Sequence, residues 1–180
     1  MERIRIVFSG SGGQGVITAA IILAEAAVLH ENLIAVQSQT YGPEARGGAT
    51  RSDVIISSGE INFPKVIQPN LLICLTQEAY NKFSQIIRPG GLLITDSRFV
   101  KIERKVDARQ KVLPMYQETV DTIGTPLAFN ICMLGAVNVL ADLIKPESIL
   151  KVLETRFRPD IYTINKKALE LGGELGRKYG

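Results

Sequence analysis

The sequence predicts an α/β fold: a single-domain, Rossmann-like three-layer arrangement with a mostly parallel or mixed sheet and helices gathered toward the C-terminus. Three observations carry that expectation. A glycine-rich turn at residues 10–15 separates an apolar strand from a helix rich in Ala, Leu and Ile. Continuous apolar runs such as residues 71–76 (LLICLT) read as strands covered on both faces. The element order is strand, helix, strand, strand, strand, helix, strand, then helices, which is the pattern of a layered α/β sheet. No repeat or low-complexity segment divides the chain, so residues 1–180 are expected to form one domain.

Residues 3–9 (RIRIVFS) alternate before turning apolar and predict the first strand. Residues 16–29 predict a packed helix and residues 33–38 (LIAVQS) a second strand, completing a strand–helix–strand unit. Residues 39–50 (QTYGPEARGGAT) have no periodicity and hold three glycines and Pro43, which predicts a loop. Strands are expected at 51–57 and 71–76. A helix is expected at 77–87, stopped by Arg88-Pro89-Gly90-Gly91, and a strand at 92–95. In the polar stretch 99–112, Val100 and Ile102 alternate with charges, which suggests an edge strand or hairpin; residues 113–116 are a candidate short strand. Thr125-Pro126 opens a helix, with Thr as cap and Pro at the first helical position. Pro146 opens another, to about Arg156. Asp160 is expected to cap a last helix running to about Lys178, with Gly172-Gly173 as its weak point.

Composition narrows the function. A net charge of +3, few aromatic residues and no Trp argue against a nucleic-acid stacking surface. Residues 1–8 are too charged and too regularly alternating for a signal peptide. The apolar stretch 123–144 contains Pro126, Asn130, Asn138 and Asp142 and is expected as a core helix, not a membrane span, so the cytoplasm is the expected location. Cys74 and Cys132 sit in apolar runs and are expected as buried thiols. Two thiols are too few for an iron–sulfur cluster, and His30, the only histidine, leaves zinc without partners. His30 is expected on the surface at a helix end. The basic run 98–111 carries six basic residues against two acidic ones and is expected to be a solvated face.

Gly10-Ser11-Gly12-Gly13-Gln14-Gly15 satisfies G-x-G-x-x-G between strand and helix. Such glycines permit a tight turn, close approach of a ligand to the backbone, and close packing of the helix on the sheet. A dinucleotide site normally adds a carboxylate at the end of the second strand, to hold the ribose. Here that position reads Val36-Gln37-Ser38-Gln39. A turn that packs the helix, or meets another chain's backbone, is therefore favoured. In the loop that follows, Tyr41 is an amphipathic anchor of the kind found at interfaces. Glu44 and Arg46, two apart, would share a face on extended backbone, and Gly47-Gly48 would permit close approach.

The glycine turn followed by Val16, then Gln39-Thr40-Tyr41-Gly42-Pro43-Glu44-Ala45-Arg46-Gly47-Gly48 and Ser52-Asp53-Val54-Ile55-Ile56-Ser57, resembles the gamma domain of the 2-oxoacid:ferredoxin oxidoreductases. The likeness continues through Asp96-Ser97, residues 130–135 (NICMLG) and residues 165–172 (NKKALELG), and so covers nearly the whole chain. The resemblance implies a non-catalytic gamma subunit of a complex that oxidatively decarboxylates a 2-oxoacid (2-oxoglutarate, pyruvate or a branched-chain acid) to an acyl-CoA. It implies thiamine diphosphate, magnesium and iron–sulfur clusters in alpha- and beta-type partner subunits, a delta subunit as a further candidate partner, coenzyme A as co-substrate and ferredoxin as acceptor. It assigns no metal and no catalytic residue to this chain. Gly10, Gly12, Gly13, Gln14, Gly15, Tyr41, Glu44, Arg46, Gly47 and Gly48 are then candidate contacts to a ligand or a neighbouring subunit. An isolated chain is expected to be able to self-associate through that apolar surface. The alternative is an independent nucleotide-binding oxidoreductase of Rossmann type.

Overall fold

The computed structural model describes residues 3–40, 48–103 and 105–180. Strands β1 (Ile4–Gly10), β2 (Ile34–Thr40), β3 (Thr50–Ser57), β4 (Leu71–Cys74), β5 (Gly91–Asp96) and β6 (Ala108–Leu113) form one sheet in the order β2-β3-β1-β4-β5-β6. The helices are α1 (Val16–Glu31), α2 (Gln77–Phe83), α3 (Met115–Ile123), α4 (Phe129–Ala141), α5 (Pro146–Arg156) and α6 (Pro159–Tyr179). Single 3-10 turns follow α2 (Ser84–Ile86) and precede α4 (Pro126–Ala128). The α/β expectation holds, and of the two sheet types left open the mixed one is found. Strands β1, β4, β5 and β6 run parallel, and β3 runs antiparallel to both of its neighbours, β1 and β2.

Side-chain alternation along β1 sorts the layers. Ile6 and Phe8 face a large apolar cluster built with α1, α4, α5 and α6, whereas Val7 faces a smaller one containing Tyr80 of α2, Leu72 and Leu93. Strands β4 and β5 are buried along their whole length, which is why they read as uninterrupted apolar runs. The predicted β1–α1–β2 crossover exists, but β3 is inserted between its two strands.

The closest packing lies where α4 meets α6. A Cβ added to Gly135 would fall 2.2 Å from the Leu169 carbonyl oxygen, and one added to Gly172 only 1.9 Å from that of Cys132. Gly172-Gly173 is therefore no weak point: α6 is continuous there, and the missing side chain at Gly172 is what lets the backbones touch. Asn138, near the end of α4, closes that helix. Its amide donates to the Ile144 carbonyl (2.9 Å) and accepts from the Ile144 N–H (3.2 Å), so a buried polar side chain satisfies the backbone of the connector between α4 and α5.

Three local expectations are corrected. Residues 113–116 are not a strand: Leu113 ends β6 and Met115 begins α3. The signal was invisible locally because α3 is capped by another element. Asp96, at the end of β5, accepts from the N–H of Tyr116 (2.8 Å), while Pro114 at the N-cap offers no side-chain bond. The edge strand expected within 99–112 forms only in its last part, as β6, and not around Val100 and Ile102, whose alternation suggested it. The Val100 N–H turns back onto the Asp96 carbonyl (3.0 Å), and the chain returns to the far end of β5, where Ala108 pairs with Gly91 in a parallel edge strand. Finally, Arg158 rather than Asp160 holds the N-cap of α6. Asp160 sits inside the first turn, where a carboxylate suits the positive end of the helix. Thr125 does cap, accepting from the Leu127 N–H (3.3 Å), though the turn it opens is 3-10 before α4 begins.

Asp96 is fully buried, and burial raises its carboxyl pKa above the ordinary value against the opposing pull of the Tyr116 and Arg98 amides. Asp96→Ala is expected to cost about 1–3 kcal/mol by orphaning those N–H donors, measured by urea unfolding. The folded carboxyl binds its proton more tightly than the unfolded one. Its contribution is therefore largest in acid and shrinks as pH rises from the ordinary carboxylate value through the raised one. The stability gap between wild type and variant should narrow from acid toward neutral pH.

Candidate functional site

Strand register brings the two sequence motifs to one end of the sheet. Gly10, the last residue of β1, pairs with Thr50, the first of β3; Thr40, the last of β2, pairs with Arg51. The glycine turn and the segment between β2 and β3 thus leave the sheet side by side, at the carboxyl end of β1. Tyr41, Glu44, Arg46 and Gly47 lie outside the described residues. Gly48 is half-buried and is followed by the buried Ala49, which packs into the smaller apolar cluster. Beside them, Arg51 forms a two-point ion pair with Asp53 (2.6 and 2.9 Å) and donates to the Val66 carbonyl (2.6 Å).

The glycine turn is filled by its own glutamine. Gln14 accepts the Ser11 N–H through Oε1 (2.8 Å) and donates through Nε2 to the Leu75 carbonyl (3.3 Å), which ties the turn to the residue after β4. An N–H that a bound anion would want is thereby already used. Gly15 precedes α1 with φ +71, a left-handed conformation that suits glycine, and a Cβ there would lie 2.6 Å from Nδ2 of Asn130. That same amide nitrogen donates to the Gly15 carbonyl (3.4 Å), so α4 braces the start of α1. Gly10 is buried, whereas Gly12 and Gly13 stand exposed, and a Cβ on either would meet nothing within 4 Å.

Sequence reasoning missed the residues opposite the turn. A cleft of about 240 Å³ separates Gly13, Gln14 and Gly15 from Tyr116, Leu127 and Asn130. Leu127, on the 3-10 turn, is 88% exposed. Beneath it Phe99, Tyr116 and Phe129 form an aromatic cluster, with Tyr116 edge-on to both phenylalanines (4.9 and 5.4 Å between centroids). Arg98 stacks 5.1 Å over the Tyr116 ring and donates to Gln117 (2.8 Å). Asn130 carried a signal, as a polar residue in an apolar helix. Arg98 reads in sequence only as the start of the basic run, and Leu127 and Tyr116 carry no signal, because only tertiary packing brings them to this rim.

The groups that could do chemistry are placed elsewhere. Cys74 and Cys132 are buried in different apolar clusters, and burial pushes their thiols up to about 12 and about 11. They neither converge nor offer thiolate, so they do not fit a cluster-ligand set. His30 is exposed near the far end of α1. Among the described residues, no group of three or more His, Cys, Asp or Glu is disposed to hold a metal, and no helix is long and apolar enough to cross a membrane. A dinucleotide fits poorly. With β3 between them, the ends of β1 and β2 are about two strand spacings, roughly 10 Å, apart, and Gln37 of β2 bonds Ser52 (2.8 Å) rather than facing the turn.

Residues 5–175 match the family described as pyruvate ferredoxin/flavodoxin oxidoreductase. The chain is 44% identical to the 2-oxoglutarate synthase subunit KorC of Methanocaldococcus jannaschii over 84% of its own length and 82% of the relative's. With the KorC subunit of Archaeoglobus fulgidus it shares 38% identity over 98% and 90% of the two chains. The crystal structure of a keto/oxoacid ferredoxin oxidoreductase gamma subunit from Geobacter sulfurreducens superposes with a TM-score of 0.91 at 36% identity, covering 99% of both chains.

Proposed function

Given that this chain belongs to the pyruvate ferredoxin/flavodoxin oxidoreductase family, as a gamma subunit of the 2-oxoacid:ferredoxin oxidoreductases, we propose that it performs no bond-making step itself and serves as one docking domain, residues 1–180, against the cofactor-bearing subunits. The observation that carries this reading is the rim at the carboxyl end of β1. There two exposed glycines, a cleft and the protruding Leu127 converge, and the cleft is lined by no cysteine, histidine or carboxylate among the described residues. Bare backbone beside an exposed apolar knob suits close approach of another protein. Gly10, Gln14 and Gly15 hold the turn in shape, and Gly12 and Gly13 present it. Gly48 and, beyond the described residues, Tyr41, Glu44, Arg46 and Gly47 extend the same contact from the neighbouring segment.

In this reading thiamine diphosphate, magnesium and the iron–sulfur clusters belong to alpha- and beta-type subunits, with a delta subunit as a further candidate. Coenzyme A enters as co-substrate and ferredoxin takes the electrons. The bound cofactor supplies the decarboxylation chemistry; this chain supplies position and exclusion of water. The names of its relatives favour 2-oxoglutarate as the 2-oxoacid. The cytoplasm is the proposed location. Affinity purification of the tagged chain from its native cells tests the reading. Thiamine- and cluster-bearing chains should co-purify, with 2-oxoglutarate-dependent reduction of ferredoxin in the eluate and none by the chain alone. Turnover of an oxoacid or a nicotinamide substrate by the isolated chain would refute it.

A further inference from the structure

A second surface lies at the opposite end of the sheet, away from the glycine turn. Strand β3 ends at Ser57 and β4 begins at Leu71, on either side of the start of β1. The gap is about two strand spacings, roughly 10 Å, which three or four residues would bridge. The chain instead spends residues 58–70 there, without regular secondary structure. Connections of that length inside a compact domain tend to be functional. This one is also held in place. Val66 is buried and its carbonyl is gripped by Arg51, while Asn70 exchanges hydrogen bonds with the backbone of Arg5 (2.8 and 2.9 Å). With those anchors, Phe63 (54% exposed), Lys65 and Ile67 (69% exposed) point outward.

These three side chains, with Arg5 and Arg88, line a groove of about 580 Å³. None of its lining residues is acidic, and none of its three cations takes part in an ion pair among the described residues. Close by, Nε of Arg3 is buried without a partner while its Nη2 donates to the Glu60 carbonyl (2.6 Å). A concave surface of one charge sign focuses its field on an oppositely charged group. Exposed aromatic and aliphatic side chains between the cations call for apolar contact as well.

We propose that this groove docks an acidic polypeptide segment that also carries an apolar side chain. The segment's carboxylates would meet Lys65, Arg88 and Arg5, and its apolar residue would lie against Phe63 and Ile67. A free phosphate has nothing to offer those two side chains, and a lipid surface would leave no polypeptide adduct in the experiment below. This surface does not rely on the rim around the glycine turn, so either can fail without the other.

The test places a photo-reactive benzophenone amino acid at position 63 of the full chain in its native cells and maps the adduct by mass spectrometry. The expected adduct is on a segment in which Asp and Glu outnumber Lys and Arg and at least one apolar residue is present. Lys65→Glu with Arg88→Glu, both at exposed positions, should cut the yield at least tenfold at an unchanged melting temperature, and Lys65→Gln with Arg88→Gln should give an intermediate loss. The absence of any polypeptide adduct, an adduct on a neutral or basic segment or on a second copy of this chain, or a yield indifferent to the charge reversal would overturn the proposal.

Discussion

Gly172→Ala is expected to be among the most damaging single-methyl additions available to this chain. The new Cβ would sit 1.9 Å from the Cys132 carbonyl oxygen, 2.8 Å from its carbon and 2.9 Å from the Ala136 nitrogen. All three are backbone atoms of α4, so no side chain can rotate away. The helices must separate, opening the contacts of Cys132, Gly135 and Ala136 with Leu169, Gly172 and Gly176 along the crossing. Overpacking of this kind costs about 3 kcal/mol or more, a large share of the 5–15 kcal/mol on which a typical domain rests. The control is the next residue. A Cβ on Gly173 would meet only side-chain atoms of Arg177 and Val139, at 3.6 Å or more. Gly173→Ala should therefore be neutral, or stabilise by up to about 1 kcal/mol through helix propensity. Urea or thermal unfolding of the pair checks this; equal stability of the two variants would mean the crossing is not built on Gly172.

Gly12→Arg and Leu127→Asp are expected to behave in the opposite way, leaving the fold intact and disabling the assembly. Gly12 has open space where its Cβ would be, and Leu127 already faces solvent, so neither change should move the melting temperature by more than a degree or two. At a buried interface, however, an Arg in place of bare backbone and a carboxylate in place of an apolar anchor each fall in the range of 2 kcal/mol or more. That is about a thirtyfold or greater loss of affinity between subunits. Reconstitution with the partner subunits, read by size-exclusion chromatography and by ferredoxin reduction, checks it. If both variants assemble normally, the glycine turn is only a packing device for α1 and the docking reading falls.

Much of the candidate site was legible in sequence because it is built from glycines, whose absence of a side chain reads the same whatever surrounds them. The run from Gly10 to Gly15 signalled a strand-to-helix turn, which the structure has, and the missing carboxylate after the second strand argued against a ribose site. What stayed hidden was everything supplied across the fold. Asp96 caps α3 from another strand, Gln14 is anchored on Leu75, and Leu127, Tyr116 and Arg98 complete the rim from beyond the sheet. The segments 130–135 and 165–172 were singled out together, but their reason appears only in space: Gly135 and Gly172 are where α4 and α6 touch.

By itself, then, the amino-acid order determined the elements whose periodicity is strong and local, namely the buried strands, the Pro-opened helix α5, the body of the last helix α6 and the core helix α4, together with the class of fold they make. Tertiary structure alone decided that β3 slips between β1 and β2, that the edge strand runs parallel, and that a charged, partly apolar groove opens at the far rim. Those outcomes depend on which strand can satisfy an open row of backbone hydrogen bonds and on which distant side chain reaches a free helix end. Such choices are settled by contacts between residues far apart in the chain, and no local window records them.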